Sequence, residues 1–353
     1  MPLLRINNKI ATIDNSATAP SADWYYSVYD AHYWSPDWHS NYGNYTAKND
    51  NGVYTGSDGH GIFGNAARDT IEVRYDNAVN ANAMFMFDWG IHFIPDNSFN
   101  NVISANNMFR GDFGISSMPV NSFRNVQTMN FMFGHCTALT AITNTFSNAT
   151  AANSAFSACT SLTSIPDNSF NSLLQASSTF VKCYSLTTLP ANSFTNVVTA
   201  SQMFNGCSSL SSLNDNKFNS VVEARYMFND CNSLSSLPAN SFSNVRDGYT
   251  MFRNCSALSS LNNNKFNKVT YAYFMFSGCS SLQSIPENSF TSLRSAHCMF
   301  SNCVNLTGSI EAFISTHSAL LTDHGLMFEN CTAMSDYDIA TARYPTWTTA
   351  NDR

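Results

Sequence analysis

The sequence that decides the fold is MFNGCSSLSSL at residues 203–213, because the chain repeats this frame along most of its length. A Met-Phe pair opens most copies, and Cys and then Leu or Ile follow the Phe at fixed spacings. The Phe recurs ten times from Phe85 to Phe300, at eight intervals of 24 residues and one of 23. A fixed period of this length is typical of coils that bury their apolar side only by stacking on neighbouring coils. We therefore predict a repeat solenoid over residues 85–331.

Two phenylalanine columns are predicted to form the core of this solenoid. We number each coil from the Phe of its Met-Phe pair, position 0, and a second Phe follows at position 14. Equivalent residues of successive coils are expected about 4.8 Å apart, so both sets of rings stack inside rather than form a binding box. We expect short parallel strands at Ser-Leu-x-Ser-Leu, with turns and 3₁₀ segments between them. Asn at position 12 is predicted to form an amide ladder at a turn, and position 10 alternates between Pro and Asn late in the chain.

Nine of the ten cysteines occupy one register, three residues after the Phe. The spacing between coils would permit disulfides by distance alone, but parallel Cβ directions and an odd number of residues favour free thiols. We therefore predict a buried structural thiol ladder and no metal, since no Cys-x-x-Cys pair occurs. The ladder comprises Cys136, Cys159, Cys183, Cys207, Cys231, Cys255, Cys279, Cys303 and Cys331.

The segments outside the repeats are predicted to cap the solenoid at both ends. Residues 1–20 alternate apolar and polar side chains and are predicted to form an N-terminal arm that docks on a neighbouring subunit. Residues 21–84 are rich in Tyr and Trp, which favours an N-terminal cap; a sugar- or protein-binding surface is the alternative. Residues 332–353 are predicted to form the C-terminal cap and tail.

Composition excludes several classes of function. Only 12% of the residues are charged and the net charge is −7, which disfavours a nucleic-acid partner. No apolar run is long enough for membrane insertion, and no motif of a catalytic or cofactor site stands out, so we expect neither an enzyme nor a cofactor. The first residues lack the apolar core of a secretory signal. We therefore expect a virion, cell-surface or extracellular protein without a recognisable signal peptide, cytoplasmic before assembly.

The spacing Phe-x-x-Cys-x-x-Leu-x-x-Leu-Pro, followed by Phe-x-x-Val, resembles the BspA-like leucine-rich-repeat family of bacterial surface proteins. The resemblance covers about residues 85–331 and differs from the more common form of that family by one residue per coil. It implies a leucine-rich-repeat-like solenoid that serves as a curved, non-catalytic scaffold for adhesion or binding. No catalytic residues are carried over from this family.

Position 21, just before the Met-Phe pair, is the best candidate for a binding surface. It is Asn or Ser in the earlier coils, whereas the later coils carry aromatic and cationic residues at or beside it. Tyr and Arg often anchor interfaces, although surface residues that are merely tolerated would look the same. The candidate residues are Arg225, Tyr226, Arg246, Tyr249, Tyr271, Tyr273, Arg294 and His297.

Two functions fit these observations. The first is a non-enzymatic adhesion solenoid displayed on a surface, with a glycan or a protein on a cell surface as its partner. The second is a structural or decoration component of a large assembly, such as a bacteriophage virion, anchored to neighbouring virion subunits by residues 1–20. The repeat family favours the first function, and the missing signal peptide and low charge favour the second.

Overall fold

The computed structural model describes residues 79–83, 85–87, 94, 96–97 and 99–349, together with the backbone of three short strands near the N-terminus. These strands are β1 (Leu3–Ile6), β2 (Lys9–Thr12) and β3 (Glu72–Val73). They form an antiparallel sheet in the order β2-β1-β3. The aromatic-rich segment predicted to cap the first coil lies almost wholly outside the described residues.

The N-terminal arm forms two strands that pair within the chain, and its docking on a neighbouring subunit stays a prediction. Strand β1 pairs with β2 in the register Leu3↔Thr12 and, on its other side, with β3 in the register Leu4↔Val73. A strand that lies between two others has its backbone groups satisfied on both sides. The arm is therefore tied by β3 to the chain just before the first described coil.

The repeats form stacked parallel coils, which confirms the predicted repeat solenoid. One ladder of isolated parallel bridges joins position 19 of successive coils from Asn80 to Asp323. Next to it, backbone N–H groups at alternate positions donate to the following coil, as in Ala105 N to Thr128 O at 2.9 Å and Phe109 N to Met132 O at 2.8 Å. Eleven coils are joined in this way.

The predicted strands at Ser-Leu-x-Ser-Leu are wrong in detail. The structure has only three isolated bridges there, Ala141↔Ser164, Thr188↔Ser212 and Ser236↔Ser260. Within residues 99–309 the backbone contains no 3₁₀ segment and no strand longer than a single bridge. The reason is the left-handed backbone that recurs at positions 2, 14 and 22, for example at Asp230, Phe218 and Tyr226. Each such residue turns the chain and ends the extended conformation.

The two phenylalanine columns form the core, as predicted. Rings of the same column stack nearly parallel, with centroids 5.4 Å apart for Phe204 and Phe228. Rings of different columns meet edge to face, as Phe218 and Phe228 do at 5.9 Å. Both geometries are favoured by the aromatic quadrupole. These side chains are fully or almost fully buried.

The cysteine column lies beside the first phenylalanine column. All ten cysteines are free and buried. Each of the nine thiols in register donates a hydrogen bond to the carbonyl of a position 0 Phe in the preceding coil, at Sγ to O distances of 3.0 to 3.2 Å. Burial raises the pKa of these thiols, in the case of Cys207 to about 12.

The turn at position 12 contains two alternating structures instead of one amide ladder. Asn216 and Asn264 are buried, and their side-chain oxygens accept the N–H groups of Ser193 and Ser241 at 3.0 and 2.6 Å. In the coils that carry Pro at position 10, the Asn is exposed with a positive φ, as at Asn240. The alternation of Pro and Asn at position 10 repeats every two coils, or 48 residues. It therefore reflects an alternation between a buried Asn and a buried Ser.

Three helices lie at the C-terminal end: α1 (Ile310–His317), α2 (Tyr337–Arg343) and α3 (Pro345–Thr348). Helix α1 is inserted into the coil that follows Phe300. The last coil is covered by residues of α3, because Leu326 N donates to Thr346 O and Phe328 N donates to Trp347 O, both at 2.8 Å. In the described part of the chain, no helix has the length and apolarity needed to span a bilayer.

Candidate binding surface

The later coils carry a row of side-chain rings on the outside of the solenoid. The residue at position 20 of these coils is a buried Ala or Gly; three of the rings, Tyr249, Tyr273 and His297, follow it at position 21, and Tyr226 lies at position 22. Ring centroids are 5.3 Å apart for Tyr226 and Tyr249, 6.2 Å for Tyr249 and Tyr273, and 5.9 Å for Tyr273 and His297. We call these four rings the aromatic stripe. All four residues are half-buried.

An ion pair fixes the N-terminal end of the aromatic stripe. Nε and Nη2 of Arg225 both lie 2.7 Å from Oδ2 of Asp247 in the next coil. The hydrogen bond with Asp247 raises the pKa of Arg225. The other carboxylate oxygen of Asp247 accepts the backbone N–H of Tyr249 at 3.1 Å. The Arg225 side chain remains 59% exposed and Asp247 only 12%, so the guanidinium presents its free donors to solvent.

A second carboxylate organises the C-terminal end. The hydroxyl of Tyr273 donates to Oδ2 of Asp323, and the hydrogen bond between them raises the pKa of Tyr273. His297 Nδ1 lies 3.6 Å from Oδ1 of the same Asp323. A Cβ atom at Gly325 would come within 2.8 Å of His297 Nδ1, so a glycine there leaves room for the imidazole.

The structure brings five of the eight predicted residues together. Arg225 and the four rings of the aromatic stripe form one connected surface. Arg246 and Arg294 at position 18 and Tyr271 at position 19 are exposed beside it, and among the described residues their side chains make no hydrogen bond or ring contact with it. Sequence reasoning missed Asp247 and Asp323. The sequence pattern that could have identified such a residue is a carboxylate two positions before the residue at position 21, as Asp247 is before Tyr249.

The same position has a different role in the first coils. There, the side-chain oxygen of each Asn accepts the position 21 N–H of the next coil, at 2.8 to 3.0 Å. This asparagine ladder runs through Asn82, Asn106, Asn130 and Asn153 to Ser177. The ladder ends at Ser177, and the N–H groups of Ser201, Arg225, Tyr273 and His297 have no acceptor within the described residues, whereas that of Tyr249 donates to Asp247. Position 21 therefore changes from an internal hydrogen-bond ladder to an outward-facing row of side chains.

The described residues contain no group of three His, Cys, Asp or Glu side chains placed to hold a metal ion. His32, His39 and His60, in a segment rich in Asp and Gly, lie outside the part of the chain that the structure describes. The surface thus offers aromatic rings, one ion pair, hydroxyl groups and carboxylates. Aromatic and guanidinium groups of this kind are frequent in binding surfaces.

The model of the family described as "Mycoplasma protein of unknown function, DUF285" matches residues 174–290 and 241–341. These matches cover slightly less than half of the chain and include the whole aromatic stripe. No curated protein matches the chain.

Several solved structures of bacterial leucine-rich-repeat proteins resemble the chain weakly. The T. pallidum leucine-rich repeat protein TpLRR is 17% identical with a TM-score of 0.32, over 60% of this chain and 81% of that one. A leucine-rich repeat protein from Bacteroides ovatus is 15% identical with a TM-score of 0.32, over 73% and 96%. A leucine-rich cell surface protein from Faecalibacterium prausnitzii is 17% identical with a TM-score of 0.30, over 82% and 96%. No function is transferred at this level of similarity.

Proposed function

We propose that this chain is a non-enzymatic binding solenoid that recognises a glycan or a protein on a cell surface through the aromatic stripe. The observation that carries the proposal is the change at position 21, where an asparagine ladder gives way to rings in the aromatic coils. The coil itself does not require this change, because the Phe columns continue through both regions. A change that the core does not need points to a role at the surface.

The geometry of the aromatic stripe suits recognition. Each ring is held by its neighbour in the next coil, and two of the residues are fixed further by Asp247 and Asp323. Side chains that are already ordered lose little conformational entropy when a ligand binds. Tyr and Arg also combine apolar contact area with polar groups, which makes them frequent anchors of binding surfaces. The rings of the stripe therefore form a preorganised contact surface on a rigid scaffold.

The test compares the binding of two labelled variants to intact cells. Tyr249→Asn combined with Tyr273→Asn introduces the residue that the first coils carry at this position, and Tyr184→Asn changes an exposed tyrosine in another column. Flow cytometry on bacterial and epithelial cells should show binding by the full chain, loss of binding by the double variant and little change for the control. Equal binding by the double variant would contradict the proposal.

A second candidate is a structural component of a larger assembly, anchored by the N-terminal arm. The observation that favours it is the position of β2, which forms one edge of the described three-stranded sheet. The edge of a sheet readily accepts a strand from a partner. In this case the chain is located on a virion or another particle, and the solenoid projects from it.

A further inference from the structure

We infer that the ligand of the aromatic stripe is a neutral oligosaccharide that lies along the solenoid axis, an inference that rests on the proposed function. A sugar ring has an apolar face of C–H groups and a rim of hydroxyl groups. The stripe offers a matching set, because four rings follow one another at 5.3 to 6.2 Å and carboxylates lie beside them. An oligosaccharide can therefore contact the rings with its C–H faces and the carboxylates with its hydroxyl groups at the same time.

Backbone donors give the first argument. In the first coils, the side-chain oxygen of each Asn accepts a hydrogen bond from the position 21 N–H of the next coil, for example Asn106 Oδ1 from Asn130 N at 2.8 Å. After Ser177, the N–H groups of Ser201, Arg225, Tyr273 and His297 have no such oxygen within the described residues, whereas Tyr249 N donates to Asp247. Backbone donors require an acceptor from water or a ligand when the protein provides none. An oxygen-rich ligand along the axis supplies acceptors in the place that the Asn oxygens take in the first coils.

The charges of the stripe give the second argument. Arg225 is paired with Asp247, and Asp323 accepts from Tyr273 and lies 3.6 Å from His297. The charges of Arg225 and Asp247 offset one another, but each carboxylate oxygen keeps a lone pair and the Arg225 guanidinium keeps N–H donors. This pair can bind hydroxyl groups and gives a net attraction to neither a polyanion nor a polycation. A neutral ligand that donates and accepts hydrogen bonds is the best match.

The distribution of apolar surface argues against a protein partner. The centre of a protein–protein interface is apolar, with a polar rim. Ten of the eleven exposed large apolar side chains of the described residues lie away from the stripe, four of them at position 18 of other coils: Val79, Ile103, Leu174 and Val198. Tyr271, which is 55% exposed, is the large exposed side chain beside the stripe. The stripe therefore has rings and polar groups without an apolar centre.

The experiment is binding of the full chain to an array of purified glycans, with neutral and anionic glycans side by side. Hits are then titrated by calorimetry with the free oligosaccharide. We expect neutral glycans of several units to bind, and we expect Tyr271→Ala and Tyr249→Asn each to weaken them about tenfold, the effect of losing part of one ring contact. Tyr184→Ala, in another column, should bind as the full chain does.

Three outcomes would overturn the inference. One is the absence of any neutral glycan among the hits. Another is a preference for sulfated or sialylated glycans that disappears in Arg246→Ala and Arg294→Ala. The third is cell binding that is abolished by protease and resists periodate, in which case the stripe recognises protein and only the ligand class is wrong. Because Tyr271 makes no ring contact with another described residue, its variant separates loss of binding from loss of folding.

Discussion

Phenylalanine at position 14 adopts a backbone conformation that this residue rarely takes. Nine such residues have φ between +46° and +58°, including Phe194, Phe218 and Phe242. The left-handed conformation costs an L-residue about 1–2 kcal/mol. Each of these rings, however, stacks with its own column and meets the rings of the other column edge to face, as Phe218 does with Phe204 and Phe228. Such pairs contribute about 0.5–1.5 kcal/mol each beyond area burial, so the packing offsets the strain.

Phe218→Ala is therefore expected to destabilise the fold strongly. The side chain is almost fully buried between four other rings, so its removal loses their contacts and leaves a cavity. The expected loss is about 3–5 kcal/mol in the free energy of unfolding, measured by denaturant titration. Leu174→Ala, at an exposed position, should change it by less than about 0.5 kcal/mol. A loss below about 1 kcal/mol for Phe218→Ala would show that the columns do not carry the stability.

The thiols are expected to react only when the fold opens. Burial raises the pKa of Cys183, Cys231 and Cys255 well above the usual range, and each thiol donates to a backbone carbonyl. Thiolate is the reactive form, so a thiol reagent at neutral pH should modify the native protein very slowly. After denaturation without reductant, most of the ten cysteines should react. Release of only a few thiols would mean that disulfides link the column.

At the scale of single residues, only part of the site could be predicted from the sequence. Position 21 was identifiable because Arg and Tyr interrupt a column of Asn and Ser. The partners Asp247 and Asp323 were not, because the repeat places neighbours in register but does not determine which side chain reaches the next coil. Arg225 spans one coil to Asp247, and Tyr273 reaches two coils ahead to Asp323.

At the scale of elements, the clearest departure from expectation is helix α1. The interval between Phe300 and Phe328 is 28 residues instead of 24, which indicates an insertion. The apolar pattern of the inserted residues also indicates that they form a helix. Ile310, Phe313 and Ile314 recur at a spacing that places them on one helix face. Phe313 packs edge to face on Phe300 and Phe328, at 6.3 and 5.4 Å, and so continues the second column from a helix. The strands predicted at Ser-Leu-x-Ser-Leu were wrong in detail because the pattern of apolar and polar residues does not reveal where the backbone is left-handed.

Helix α1 depends on a carboxylate from the C-terminal cap. The backbone N–H groups of Ile310 and Glu311 donate to Asp336 at 2.8 and 2.9 Å, and Ser309 donates its hydroxyl at 2.7 Å. Partial burial acts to raise the pKa of Asp336, but these hydrogen bonds outweigh it and the pKa is lowered. A negative charge at a helix N-terminus is also favoured by the helix dipole.

Asp336→Asn is expected to cost about 1 kcal/mol at neutral pH. The sign of the pH dependence follows from the lowered pKa: the contribution is present above the unfolded value near 3.9 and is lost as pH falls through the folded value. Unfolding curves of the two proteins should therefore differ at pH 7 and converge at the lowest pH that keeps them folded. Asp338→Asn, an exposed neighbour in α2, should show no such difference. A gap that persists at acid pH would contradict the electrostatic explanation.

At the scale of the whole molecule, a uniform core carries a surface that changes along the axis. The Phe columns are continuous and the Cys column runs from Cys136 onward, while position 21 passes from the asparagine ladder to the aromatic stripe. In a solenoid the core of each coil packs on the neighbouring coils, so one set of coils can change its surface without disturbing the core of the others. This independence explains why the repeat frame was readable from the sequence and the ligand was not.

Deletion of residues 1–12 tests the role of the N-terminal arm. The arm forms β1 and β2, and β1 also pairs with β3. We expect the deleted chain to keep its circular dichroism spectrum and most of its melting temperature. If the second candidate function holds, it should fail to enter the particle. Normal incorporation of the shortened chain into the particle would contradict the anchoring role of the arm.

The most direct test of the central claim measures thermal unfolding and cell binding on the same preparation of Tyr249→Asn combined with Tyr273→Asn. Asn is the residue that the first coils use at this position, and there its side chain bonds to the next coil, as Asn106 does to Asn130 N. If the aromatic stripe is a recognition surface, the melting temperature should stay within a few degrees of that of the unaltered chain while binding is lost. A large fall in melting temperature with unchanged binding would show instead that the stripe is packing.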